Sequence, residues 1–219
     1  MSKKKPACPN SSPDASTPVN SPAAGCGKPN PEVIKRGNIT LTVDRVKKTI
    51  TMTGTQQFYG DGADQAYSDR ATKEINDTWS GPTKFEGADY TVTSNIQGTV
   101  RKESDPATPG TNQIHVVKTT DPSSVTRQKD PANQSLYAKG PGYQHSTEDD
   151  DGGLTIAHEF GHSMGLKDEY KEGPRNADGT RSIVRTGPNG GLMGYIDKGS
   201  KPTSDNFNSL ITGCGLADP

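Results

Sequence analysis

The sequence has no apolar run near the ~20 residues that a membrane-spanning helix needs. Nor does an apolar segment follow its basic start, Met1-Ser2-Lys3-Lys4-Lys5-Pro6, so no secretory signal peptide is expected. Such a chain is expected to be made in the cytoplasm and then to work there, or to leave by a route that needs no such signal. Net charge is lacking too: at −1, the overall balance favours neither nucleic acid nor an anionic membrane as a partner. Hydrophobic residues are scarce, 27% against 23% charged, which implies a thin core and many loops but stays above the composition of full disorder. Cysteine is scarce as well. Cys8, Cys26 and Cys214 include no pair spaced like a zinc knuckle, and an odd count leaves at least one unpaired. A Cys8–Cys26 bridge and free thiols both stay open, and neither is given a role.

What is present suits one folded domain and a tail. Residues 1–30 are dense in Pro, Ser and Asn, lack periodicity and read as a disordered N-terminal segment; the domain is expected over 31–219. Residues 38–44 alternate apolar and polar, with Ile39, Leu41 and Val43 on one face, and residues 49–53 do the same with Ile50 and Met52. With 45–48 between them, they predict a β-hairpin. Over 63–79 the period changes to three and four, with Ala71, Ile75 and Trp79 on one side of an expected helix that Gly81-Pro82 ends. Strands are expected over 90–100 and 113–117, and a short helix over 204–212 with Phe207, Leu210 and Ile211 on one face. Residues 120–153 read as almost all loop. No internal repeat is found.

The most informative stretch is His158-Glu159-Phe160-Gly161-His162-Ser163-Met164-Gly165-Leu166-Lys167-Asp168-Glu169-Tyr170. Asp149, Asp150 and Asp151 precede it and favour a helix start. On that helix Ile156, Phe160 and Met164 fall in one row and the two histidines in a row roughly opposite. Histidines four apart stand ~5–6 Å from each other at Cβ, close enough for both imidazoles to bond one Zn²⁺. Glu159 is turned about 100° from His158, beside the metal, where a carboxylate can take a proton from activated water. The plain alternative is a surface helix that happens to carry two His and a Glu, and the short motif does produce false positives. The residues that follow argue against it. Gly165 lets the helix stop and the chain turn back, and Asp168 then returns a third ligand; Glu169 and Glu172 are the rival donors. Farther on, Asn189-Gly190-Gly191-Leu192-Met193-Gly194-Tyr195 forms a glycine-flanked turn around one Met. A second helix with a Glu ligand is the other zinc layout, and 204–212 carries Asp205 but no Glu. His115 in a strand and His145 in a loop read as ordinary positions, Trp79 as core, and Tyr170 as cover for the next loop.

His158-Glu159-x-x-His162-x-x-Gly165-x-x-Asp168 followed by Met193 resembles the metzincin zinc peptidases, in a smaller branch with aspartate as third ligand. The motif likeness spans roughly residues 151–196, and the order of expected elements follows the same fold. The resemblance implies an α+β, zincin/metzincin-like fold: a small twisted sheet, a backing helix and an active-site helix. It further implies Zn²⁺ on His158, His162 and Asp168, Glu159 as base, Met193 as apolar floor, and Tyr195 as a hydrogen-bond donor to the oxyanion. The expected function is a zinc-dependent peptidase acting on a protein or peptide substrate. A disordered Cys/Pro/Ser head on such a domain also looks like bacterial effector or toxin domains delivered by specialised secretion systems. That setting implies a cognate immunity protein or a secretion-machine component as partner. A cytoplasmic housekeeping metallopeptidase and a non-catalytic, zinc-stabilised binding protein are the alternatives; intact Glu159 speaks against the last.

Overall fold

Ile39, Leu41 and Val43 stand at alternate positions, so a strand puts all three on one face. In the computed structural model that face is dry: the three are fully buried in β2 (Ile39–Asp44). The chain turns back through 45–48 into β3 (Thr49–Tyr59), where Ile50 and Met52 extend the same buried face. Asp44 shapes the turn, its Oδ1 accepting the backbone N–H groups of Val46 at 3.0 Å and Lys47 at 2.9 Å. This is the hairpin that the alternation predicts. The structure describes residues 29–116, 124–126, 137–140, 154–175, 181–185, 191–194 and 199–216, with backbone alone for 124–126, 137–140, 171–175 and 181–185.

β1 (Glu32–Arg36) lies antiparallel outside β2. β3 is long enough to serve several neighbours. It runs parallel to β5 (Ala88–Val100) from Thr49 to Phe58, and parallel to β6 (Asn112–Val116) from Gln56 to Tyr59. Beyond β6 come β8 (Tyr137–Gly140), parallel to it, and then β7 (Ser124–Thr126), antiparallel to β8. On the other side, β4 (Gly81–Phe85) pairs antiparallel with β5. These strands make one eight-stranded mixed sheet, branched at β3. A separate two-stranded ribbon joins β9 (Tyr170–Arg175) and β10 (Arg181–Arg185).

The helix expected over 63–79 is α1 (Gln65–Trp79), capped by Asp64, whose carboxylate accepts the Tyr67 N–H at 2.6 Å. Tyr67, Ala71, Ile75 and Trp79 form its buried row, and it packs on β5. β4 covers β5 only as far as Val92. Past that point Asn76 of α1 bonds both backbone groups of Ile96, its Oδ1 accepting the N–H at 2.8 Å and its Nδ2 donating to the carbonyl at 2.9 Å. Two more helices, α2 (Leu154–Ser163) and α3 (Ser204–Thr212), complete a mixed α+β fold with three helices among the described residues. Trp79 ties them together: its indole meets Phe160 of α2 edge-on at 5.7 Å and Phe207 of α3 at 5.8 Å.

Three expectations need correction. Within residues 120–153, read as almost all loop, β7 and β8 are strands; at three and four residues they are too short to show a period and exist by pairing, β8 with β6 and β7 with β8. Gly81-Pro82 does more than end α1, since both belong to β4, an edge strand where the missing N–H of proline is tolerated. Cys214 is disulfide-bonded, which removes the reading of three free thiols.

Candidate metal centre

The row Ile156, Phe160 and Met164 is buried, as the helical spacing requires, and Trp79 Nε1 donates to the Ala157 carbonyl at 2.9 Å. With that side of α2 held in the core, His158 and His162 project from the other. The helix then ends in a paired-hydrogen-bond stop. Gly165, at φ 94°, takes the left-handed position and donates its N–H to His162 O at 2.9 Å, while the Leu166 N–H reaches back to Gly161 O at 3.2 Å. Only this reversal brings the following segment back past the histidines.

Three ligand-type atoms converge as a result. His158 Nε2 and His162 Nε2 are 3.0 Å apart, and Asp168 Oδ1 is 3.2 Å from each. Ligands at ~2.0–2.1 Å around a tetrahedral ion stand ~3.3 Å from one another, so the triangle has the size of one face of such a site. Among the described residues His158, His162 and Asp168 form a group that could hold a metal ion.

The far side of each imidazole explains why the near side is a donor. His158 Nδ1 lies 2.7 Å from Leu192 O and His162 Nδ1 lies 2.9 Å from Leu166 O. A carbonyl only accepts, so both Nδ1 atoms carry the proton and both Nε2 atoms present lone pairs. Two lone pairs and a carboxylate oxygen at 3.0–3.2 Å repel unless something positive lies among them. In the metal-free protein a proton can take that place. Burial lowers the His162 pKa, but the Asp168 carboxylate and the Leu166 carbonyl outweigh it and leave the pKa raised. Burial raises that of Asp168, and the two imidazoles beside it outweigh this, holding the carboxyl well below the usual carboxylate range.

Glu159 is 7% exposed, and its Oε2 is buried without a hydrogen-bond partner among the described residues. Burial raises its pKa, with the two histidines pulling the other way. Exposure rises around the triangle, from 5% for the His158 side chain to 17% for His162 and 40% for Asp168, so the group is reachable from one side.

Beneath the helix lies Met193, fully buried in a turn that the Gly194 N–H closes on Gly191 O at 3.0 Å. A Cβ at position 161 would run into Met193 Sδ, so the glycine inside the His-Glu-x-x-His stretch is what lets this turn come so close. The turn is bonded to its surroundings through Leu192 N–H to Lys201 O at 2.9 Å and Glu169 N–H to Met193 O at 2.7 Å.

Of the rival third donors, Glu169 turns elsewhere: its Oε1 accepts from Asn206 Nδ2 at 2.7 Å. Glu172 lies in β9, where the side chains are outside the described residues; Tyr195, His145, Asp149, Asp150 and Asp151 lie outside them altogether. His115 stacks on Tyr59 at 4.8 Å, in the strand setting expected of it. The partners that sequence reasoning missed are the carbonyls of Leu192, Leu166 and Ala157, to which no residue type gives a signal. Tyr170, read from the sequence as cover for the next loop, has its ring 6.5 Å from that of His158. The chain matches no family model, no curated protein and no solved structure.

Proposed function

We propose that this chain is a zinc-dependent peptidase of metzincin-like fold, with His158, His162 and Asp168 as the metal ligands and Glu159 as general base. The observation that supports it most is the pair of imidazoles fixed as Nδ1–H donors, with both Nε2 atoms aimed at one carboxylate oxygen. Two imidazoles and a carboxylate suit zinc. When bound, that ion supplies a Lewis acid for the scissile carbonyl and lowers the pKa of water toward ~7. Glu159 then does the proton work: its unpartnered Oε2 takes a proton from the attacking water and passes it to the leaving nitrogen. A pKa raised by burial brings the carboxylate nearer the pH at which both transfers run. Met193 supports the helix from below, and Tyr195, on the family likeness, would give a hydrogen bond to the oxyanion.

The one-sided access to the triangle supports a catalytic site over a closed structural one, which would also have no use for Glu159. The disulfide at Cys214 supports an exported effector or toxin over a cytoplasmic housekeeping enzyme, because disulfides persist in oxidising compartments. Protein or peptide is the substrate class, and a cognate immunity protein is the partner that an effector would require.

The test is metal content and hydrolysis of an unstructured protein such as casein. Wild type should hold one zinc per chain and cleave; E159Q should hold the same zinc and lose about 10²–10⁴-fold in turnover. Wild-type turnover in E159Q would remove Glu159 from the mechanism, and a metal-free wild type would remove the zinc assignment.

A further inference from the structure

His158 and His162 are both placed by α2, but Asp168 comes from the segment after the helix and needs support of its own. The next residue provides it. The Glu169 N–H is fastened to Met193 O at 2.7 Å, and the Glu169 carboxylate to Asn206 Nδ2 at 2.7 Å. Asn206 is itself fixed. It is 3% exposed and sits at the third position of α3 in a reciprocal cap with Thr203, its Oδ1 accepting the Thr203 N–H at 2.8 Å and its own N–H reaching Thr203 Oγ1 at 3.3 Å. The other oxygen of Glu169, Oε2, is buried with no partner among the described residues. Among the described residues Asn206 is thus the side-chain donor that this half-buried carboxylate depends on, and losing it would remove that compensation.

We propose that Asn206 is a positioning residue for the metal site, acting through Glu169 to hold Asp168 at the two histidines; this rests on the metal-binding reading above. α3 contributes no ligand, and its role is to fix the backbone one residue beyond one. Outer partners of this kind set how tightly a ligand set grips its ion, typically by 10–100-fold.

The bond can be cut without cutting the cap. In N206D the acceptor for the Thr203 N–H stays, and an acid in the first turn suits the helix dipole, but a carboxylate now faces Glu169. The double variant E169Q/N206D exchanges donor and acceptor and remakes the bond. The measurements are zinc dissociation constants by competition with a chromophoric chelator, the visible spectrum of the cobalt-loaded protein, and thermal melting without metal. Zinc affinity should fall about 10–100-fold in N206D with a changed cobalt spectrum. Both should return to within about threefold of wild type in the double variant, including the case where N206D alone fails to fold. Affinity and spectrum unchanged in N206D would overturn the proposal, as would a double variant no better than N206D. A wild type that binds neither zinc nor cobalt overturns the metal reading first and this proposal with it.

Discussion

Residues 39–100 and residues 154–216 are held together in different ways. In the first region alternate side chains enter a common core: Ile39, Leu41, Val43, Ile50 and Met52 are fully buried, and α1 adds Ala71 and Ile75. Each contributes by area, and none is unique in kind. In the second, single hydrogen bonds decide the geometry: Leu192 O and Leu166 O orient two imidazoles, Gly165 reverses the chain, and Asn206 holds Glu169. A region built on area can lose one member and keep its shape. A region built on single bonds loses its chemistry while the fold stands.

The largest effect expected from that contrast is on metal. His162→Ala should abolish zinc binding and hydrolysis together while leaving the metal-free melting temperature almost unmoved, because it removes a ligand and little of the core; elemental analysis and a thermal melt check both. Leu41→Ala should do the reverse. It should cost about 2–5 kcal/mol of stability by chemical denaturation, with zinc still bound at low temperature. Trp79→Phe tests the join between the regions: a smaller aromatic ring remains, the N–H to Ala157 O goes, and stability should fall by about 1–3 kcal/mol or more. If that change also weakened zinc more than a few fold, the two regions would be less separate than described.

The smallest effect is on pH. In the metal-free protein the His162 pKa is raised, so its contribution is fully present below the ordinary value near 6.5 and fades as pH rises through the higher folded value. The pKa of Asp168 is depressed, so its contribution is present above about 3.9 and fades as pH falls through the lower folded value. The pair should therefore help the metal-free fold most at about pH 4–6.5, and D168N should lower the melting temperature most within that window and less on either side of it. Zinc must displace the same proton, so the stabilisation it adds should grow from pH 5 to 8. A zinc-induced shift independent of pH would contradict this.

The contrast also explains what could be read from residues alone. Periodicity repeats, so β2, β5, α1 and α3 were legible, and β3 over 49–53, the first part of its eleven residues. Strands such as β7 and β8 have too few positions for any period, and their existence is a property of the neighbour they pair with. At the site, His158, His162 and Asp168 stood out because their spacing has a chemical reason, and the structure brings the three together. That Glu169 turns away from the histidines rests on the hydrogen bond from Asn206, 37 positions away, which no local pattern announces.

Arg36 in β1 donates to Leu210 O at 2.6 Å and to Ile211 O at 3.4 Å, across more than 170 positions of sequence. The earliest described strand is in this way clasped to the last described helix, the one that also holds Glu169. On the ribosome that clasp cannot close until residue 211 has left the exit tunnel. A nascent chain that has emerged only as far as Asp168 owns every ligand but lacks the helix that steadies the last of them. On the reading proposed above, assembly of the metal site would therefore wait until α3 has been made.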